Sequence, residues 1–189
     1  GTISADQIAW SNKQSFRTYW IQPVSVAIGY DNSFWLSFIK DPYGALVTNQ
    51  MILSSVDGVT FTLVLEGATI ETPVANNCAH SVLMPLPSWN MALLETVQSS
   101  DALIDRSVRV GCRSAEVPGS PTWGSPKMFD IGLDSGASPG SKGQMISAVT
   151  SGNGTVHIAF KATDGNIKHA HIHPGGSITI STIGAGDRY

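Results

Sequence analysis

Three histidines alternate in Lys168-His169-Ala170-His171-Ile172-His173-Pro174. On a β-strand successive side chains point to opposite faces, so residues 169, 171 and 173 share one face if the strand runs that far. Two imidazoles at that spacing can grip one divalent metal ion, with a third ligand from a loop or a second copy of the chain. His169 and His171 are the expected ligands, because Pro174-Gly175-Gly176 predicts a turn directly after His173. The competing reading is the polar face of an exposed strand. A second chemistry comes from aromatic residues, since sugar rings present apolar faces that stack on Trp and Tyr. Tyr19, Trp20, Tyr43 and Trp89 fall among turn-forming residues, where such stacking is expected, whereas Trp35 and Trp123 read as core. Hydrolysis of a glycosidic bond needs two flanking carboxylates. No such pair stands out, because Glu66, Glu71, Asp101, Asp105 and Glu116 fall mostly near turns. Glu95 differs in following the apolar strand Met91 to Leu94, where it reads as a structural acid at a strand end.

The elements that must position these groups read as strands throughout. Val24 to Ile28 alternates, Gly29-Tyr30-Asp31-Asn32 turns, and Ser33 to Ile39 is a nearly continuous apolar run. Gln50 to Leu53 and Phe61 to Leu65 add two more strands. The same four-strand order returns with Cys78 to Leu86, Met91 to Val97, Ser107 to Cys112 and the residues after Trp123. It returns again with Met145 to Val149, Thr155 to Lys161, Ile167 to Ile172 and Ser177 to Ile183. Corresponding strands recur about every 60 residues, a blade-like spacing with variable loops. The chain therefore divides into one domain, 1–189, of repeated units over approximately 20–72, 74–132 and 142–184.

Composition agrees with that reading. Charged residues make up only 13% of the 189, while Gly (19) and Pro (10) are plentiful, which predicts short strands and turns with almost no helix. A net charge of −3 supplies no basic field, so nucleic acid is not an expected partner. No apolar run reaches the roughly 18 residues that span a bilayer, and the N-terminus lacks the order of a signal peptide. Cys78 and Cys112 are either one disulfide or two free buried thiols.

The most regular turn is Ser55-Val56-Asp57-Gly58-Val59-Thr60-Phe61, where Asp bonds its own backbone and Gly accepts a positive φ. A longer version is Ser114 to Trp123, with Gly119 at the turn, and a weaker one runs from His171 to Ile178. This order resembles the Asp box, Ser-x-Asp-x-Gly-x-Thr-Trp, of sialidase-like β-propellers, also called the bacterial neuraminidase repeat. Ser55 to Phe61 is one residue shorter between the acid and Thr and carries Phe for Trp. Ser114 to Trp123 has Glu for Asp and a two-residue extension. The resemblance implies that Ser55, Asp57, Gly58, Phe61, Gly119 and Trp123 build a structural turn between the outer strands of a blade, away from any binding site. Residues 74 to 124 are also similar to one blade of the polysaccharide-lyase-like members. The shared parts are Asn76 to Ser81 around His80, Val82 to Leu86, Met91 to Leu94, Arg109 to Ser114, and Thr122-Trp123-Gly124. Phe16-Arg17 resembles the Phe-Arg that opens the sialidase first blade, although Thr18-Tyr19-Trp20 replaces the expected Ile-Pro.

The expected fold is therefore all-β, with about three propeller-type blades of four antiparallel strands; the alternative is a β-sandwich. Propellers close with about four to eight blades, so three imply a longer chain or a homo-oligomer, two copies closing one ring. The expected function is a glycan-recognising module, such as the receptor-binding part of a phage tail fibre or a secreted lectin-like domain, extracellular or virion-borne. Arg17, Tyr19, Trp20 and Trp89 are its candidate carbohydrate contacts, and a polysaccharide or cell-surface glycan its partner. One alternative, implied by the resemblance, is a polysaccharide lyase or glycosidase using His80, Arg109 and Tyr19. A histidine suits proton transfer near neutral pH. The other alternative is a structural virion protein. No cofactor is expected beyond a divalent metal at His169 and His171; trimeric tail fibres carry His-x-His iron sites, a resemblance in the motif alone.

Overall fold

The computed structural model describes residues 2–3, 8–9, 24–40, 49–68, 77–86, 90–98, 106–113, 127–134 and 146–185. Every regular element among them is a strand. Two short strands, β1 (Thr2–Ile3) and β2 (Ile8–Ala9), pair antiparallel. The rest form three antiparallel sheets of four strands, each following chain order from edge to edge. The first sheet holds β3 (Ser25–Ile28), β4 (Phe34–Lys40), β5 (Asn49–Ser55) and β6 (Thr62–Ala68). The second holds β7 (Asn77–Leu86), β8 (Asn90–Gln98), β9 (Ser107–Arg113) and β10 (Lys127–Asp130). The third holds β11 (Ile146–Thr150), β12 (Val156–Lys161), β13 (Asn166–Ile172) and β14 (Ile178–Ala185).

Local chemistry explains the tight hairpins. Gly29–Ser33, Ser151–Thr155, Ala162–Asn166 and His173–Ser177 are built alike. In each, the first residue's N–H donates to the fifth residue's carbonyl and the fourth residue's N–H donates to the first carbonyl. The fourth residue has positive φ: Asn32 at 62°, Gly154 at 82°, Gly165 at 84° and Gly176 at 84°. This is a type I turn closed by a left-handed residue, a three-residue loop whose twist suits an antiparallel pair. Asp31, Asn153 and Asp164 reinforce three of the turns by accepting the N–H of Ser33, Thr155 and Asn166 at 3.0, 3.1 and 3.0 Å.

The sheets stack through their first strands, since β7 touches both β3 and β11. Leu83 N–H donates to Ser25 Oγ at 2.9 Å, and the Thr150 hydroxyl donates to the Pro85 carbonyl. Thr150 ends β11 and Pro85 lies near the end of β7, so this contact joins the C-terminal ends of the two strands. One core lies between the first and second sheets, built on Ala27, Trp35, Ile52, Leu83, Met91 and Leu93. The other lies between the second and third, where Met84, Leu94, Val108 and Val110 meet Val156, Ile158, Phe160 and Ile172. The middle sheet thus buries both faces, which is why Met91 to Leu94 shows no alternation in its sequence.

A short crossing ties the second sheet to the third. Leu133 bridges Ala162, Asp134 N–H donates to the Lys161 carbonyl at 2.9 Å, and Lys161 Nζ stands 3.2 Å from an Asp134 carboxylate oxygen. The register also decides the cysteine question. Cys78 pairs with Val97 and Cys112 with Ala92, positions about 16 Å apart along β8 at the usual strand rise. That exceeds the Cα separation a disulfide tolerates, so Cys78 and Cys112 do not bridge within one chain. No helix among the described residues is long and apolar enough to cross a membrane.

Candidate functional site

The third sheet gathers three imidazoles on one face. The β12–β13 register sets His157 opposite His171 and His169 opposite Ala159. Val156, Ile158, Phe160, Ala170 and Ile172 fill the core with the second sheet, so the alternating residues His157, His169 and His171 lie on the opposite, half-buried face. His157 Nδ1 lies 3.3 Å from His169 Nε2, and His169 Nδ1 lies 2.9 Å from His171 Nε2. Ring centroids are 4.1 Å apart for His169 and His171, 4.8 Å for His157 and His171, and 5.4 Å for His157 and His169. One nitrogen from each ring can be chosen so that all three fall within 4.8 Å of one another. Partial desolvation, and then repulsion from His169, His157 and His173, hold the His171 pKa below the ordinary histidine value. The ring therefore favours its neutral, ligating form.

His169 and His171 stand together as their spacing predicts, while the third imidazole comes from the adjacent strand β12 of the same chain. His173 lies just past the end of β13, exposed at the start of a turn, with its ring 6.4 Å from that of His171. The surrounding positions are small or neutral. Thr179 and Ser181 on β14 are opposite His171 and His169, and Val149 on β11 is opposite His157.

A second set of candidates lies toward one end of the middle sheet. His80 on β7 is the register partner of Thr96 on β8, and Glu95 is the partner of both Ser81 on β7 and Arg109 on β9. The register thus sets His80 level with Thr96 and Arg109 level with Glu95, adjacent positions of β8 that belong to opposite faces of the sheet, so the two candidates do not share a face. The Glu95 side chain is fully buried, in a row where Ser81 Oγ lies 2.9 Å from Ser37 Oγ of the first sheet. The remaining expected contacts, Arg17, Tyr19, Trp20 and Trp89, lie outside the described residues. Tyr30, in the turn between β3 and β4, is an exposed aromatic side chain that the sequence pattern did not single out.

The turn between β5 and β6 organises itself around Asp57. Ser55 Oγ donates to Asp57 Oδ1 at 2.8 Å, and the N–H groups of Val59 and Thr60 donate to the same oxygen, each at 2.8 Å. Gly58 N–H donates to Ser55 Oγ at 2.9 Å. The backbone N–H bonds from Thr60 and Val59, then the Ser55 hydroxyl, lower the Asp57 pKa to about 2. Gly58 has φ of 70°, and a Cβ there would stand 3.2 Å from the Phe34 ring. This is a closed, self-satisfied turn between the third and fourth strands of its sheet. Gly119 and Trp123, expected to repeat it, lie outside the described residues.

No protein-family model matches the chain, and no curated protein matches it. Among solved structures, the chain is similar to an exo-β-1,3-galactanase from Clostridium thermocellum, with a TM-score of 0.61 and 12% identity. The superposition covers 93% of this chain and 41% of the galactanase, so the chain spans about two fifths of that protein's length. At this identity the likeness describes the fold: an all-β array of four-stranded sheets.

Proposed function

We propose that this chain is a glycan-recognising module of β-propeller type, in its more specific form the receptor-binding part of a phage tail fibre or a secreted lectin-like domain. The observation that carries the reading is the similarity of nearly the whole chain to an exo-β-1,3-galactanase, a protein that acts on a polysaccharide. The low charge and the aromatic residues among turn-forming segments add to it, since sugar faces stack on such rings. The Asp57 turn supports a relationship to the sialidase-like repeats, because a Ser-x-Asp-Gly sequence folds there into a closed turn between outer strands. A glycan array probed with wild type, Trp20→Ala and Trp89→Ala tests the reading. Wild-type binding to a bacterial or host polysaccharide, weakened in at least one variant, is expected. Absence of binding to every glycan overturns it.

A second reading, a polysaccharide lyase or glycosidase, rests on the resemblance of residues 74 to 124 to the lyase-like blade, with His80 and Arg109 on the two strands that flank the C-terminal part of β8. A polysaccharide panel followed by ultraviolet absorbance, for unsaturated products, and by reducing-sugar release separates it from the binding module. Turnover unchanged in His80→Ala removes the assignment.

A further inference from the structure

The geometry points to a mononuclear divalent transition-metal site formed by His157, His169 and His171 on the third sheet, with one coordination position left to solvent. The proposal is independent of glycan recognition. It rests on three neutral-capable nitrogen donors held on two paired strands of one chain.

Imidazole suits the borderline first-row ions, with Zn2+ the most tolerant in geometry. Zn–N bonds are about 2.0–2.1 Å, which sets adjacent ligand nitrogens of a tetrahedron about 3.3–3.4 Å apart. The His157–His169 nitrogen contact, 3.3 Å, matches that edge, while the His169–His171 contact, 2.9 Å, is shorter and uses the other nitrogen of His169. The 4.8 Å bound for a one-nitrogen-per-ring set is wider, so a modest ring rotation completes the triangle. His169 now contacts one partner through each of its ring nitrogens. On metal binding it keeps one nitrogen on the ion and gives up one of those contacts.

Backbone placement favours the rotation over any larger change. His157 and His171 are cross-strand partners, which fixes their Cβ atoms about 4.5–5.5 Å apart, and His169 is the diagonal neighbour on the same face. The strands are themselves anchored by the buried Ile158, Phe160, Ala170 and Ile172 on the opposite face, so the donors sit on a rigid support. Opposite them on the flanking strands stand Thr179, Ser181 and Val149, none of them charged. Three imidazoles and a water form an open site, the arrangement in which an ion polarises its bound water or accepts an oxygen donor.

The test uses tag-free protein stripped with chelator and then exposed to zinc chloride, with bound metal measured by elemental analysis after desalting. About one equivalent per chain is expected for wild type and for His173→Ala, whose ring stands outside the triad. Less than a tenth of an equivalent is expected for the double variant His157→Ala/His169→Ala. Cobalt(II) loading provides a second readout, because a four-coordinate site gives intense visible bands that a loosely held six-coordinate ion does not. Circular dichroism confirms that each variant is folded, and His157→Gln replaces His157→Ala if the alanine form is not. Wild-type protein holding less than a tenth of an equivalent overturns the proposal. So does full binding in a folded variant lacking His157, or loss of binding in His173→Ala alone.

Discussion

The hydroxyls of Ser37 and Ser81 meet at 2.9 Å, both buried, one on the first sheet and one on the second. Removing either hydroxyl takes away a hydrogen-bond partner of the other across the two sheets, so the two positions are expected to be energetically coupled. A double-mutant cycle with Ser37→Ala and Ser81→Ala is expected to return a coupling of about 0.5–1.5 kcal/mol in urea unfolding. Strict additivity of the two single changes would show that the pair contributes nothing to joining the sheets.

Gly58→Ala is expected to destabilise the fold by about 1–2 kcal/mol, because an L side chain at positive φ meets its own carbonyl. The Phe34 ring adds a second cost, standing 3.2 Å from the new methyl group. Gly152→Ala is the matched control, since a Cβ there meets nothing within 4 Å. Equal melting temperatures for the two variants would contradict this account.

Asp57 titrates near 2 in the folded chain against an ordinary value of 3.8. A lowered folded pKa means that the ionised carboxylate stabilises the fold above the unfolded value, and that the stabilisation fades as pH falls toward the folded one. The difference in melting temperature between wild type and Asp57→Asn should stay constant from neutral pH to about pH 5 and shrink as the pH falls below about 4. A difference that grows on acidification would reverse the assigned sign.

Leu94 and Ile158 are both fully buried and meet in the core between the second and third sheets. Either one changed to Ala should cost about 2–5 kcal/mol, the usual range when a buried branched aliphatic leaves a cavity. Chemical denaturation measures it, and a loss below about 1 kcal/mol would mean that the two sheets do not share this core.

Strand existence and order were legible from turn chemistry and apolar runs, as at Gly29 to Asn32 and Gly152 to Gly154. How the three sheets stack on one another was not. It depends on which strands of different sheets touch, and contacts such as Ser25 with Leu83 leave no periodic trace. The pairing of His169 with His171 was readable because strand alternation is local. His157 was missed, yet the turn at Asp164-Gly165 lies midway between residues 157 and 171, and folding the hairpin about that point sets them opposite each other. Glu95 reads as a strand-end acid because its burial comes from a neighbouring sheet, which no window along the chain reveals.

Because the middle sheet is clad on both sides, the three sheets behave as a row of units coupled to nearest neighbours, in which position and not composition sets the order of loss. Either outer sheet can open while the other two remain joined, but the middle one cannot leave first without exposing two apolar faces at once. Within this row the backbone amides of β8 are expected to exchange with solvent more slowly than those of the outermost strands.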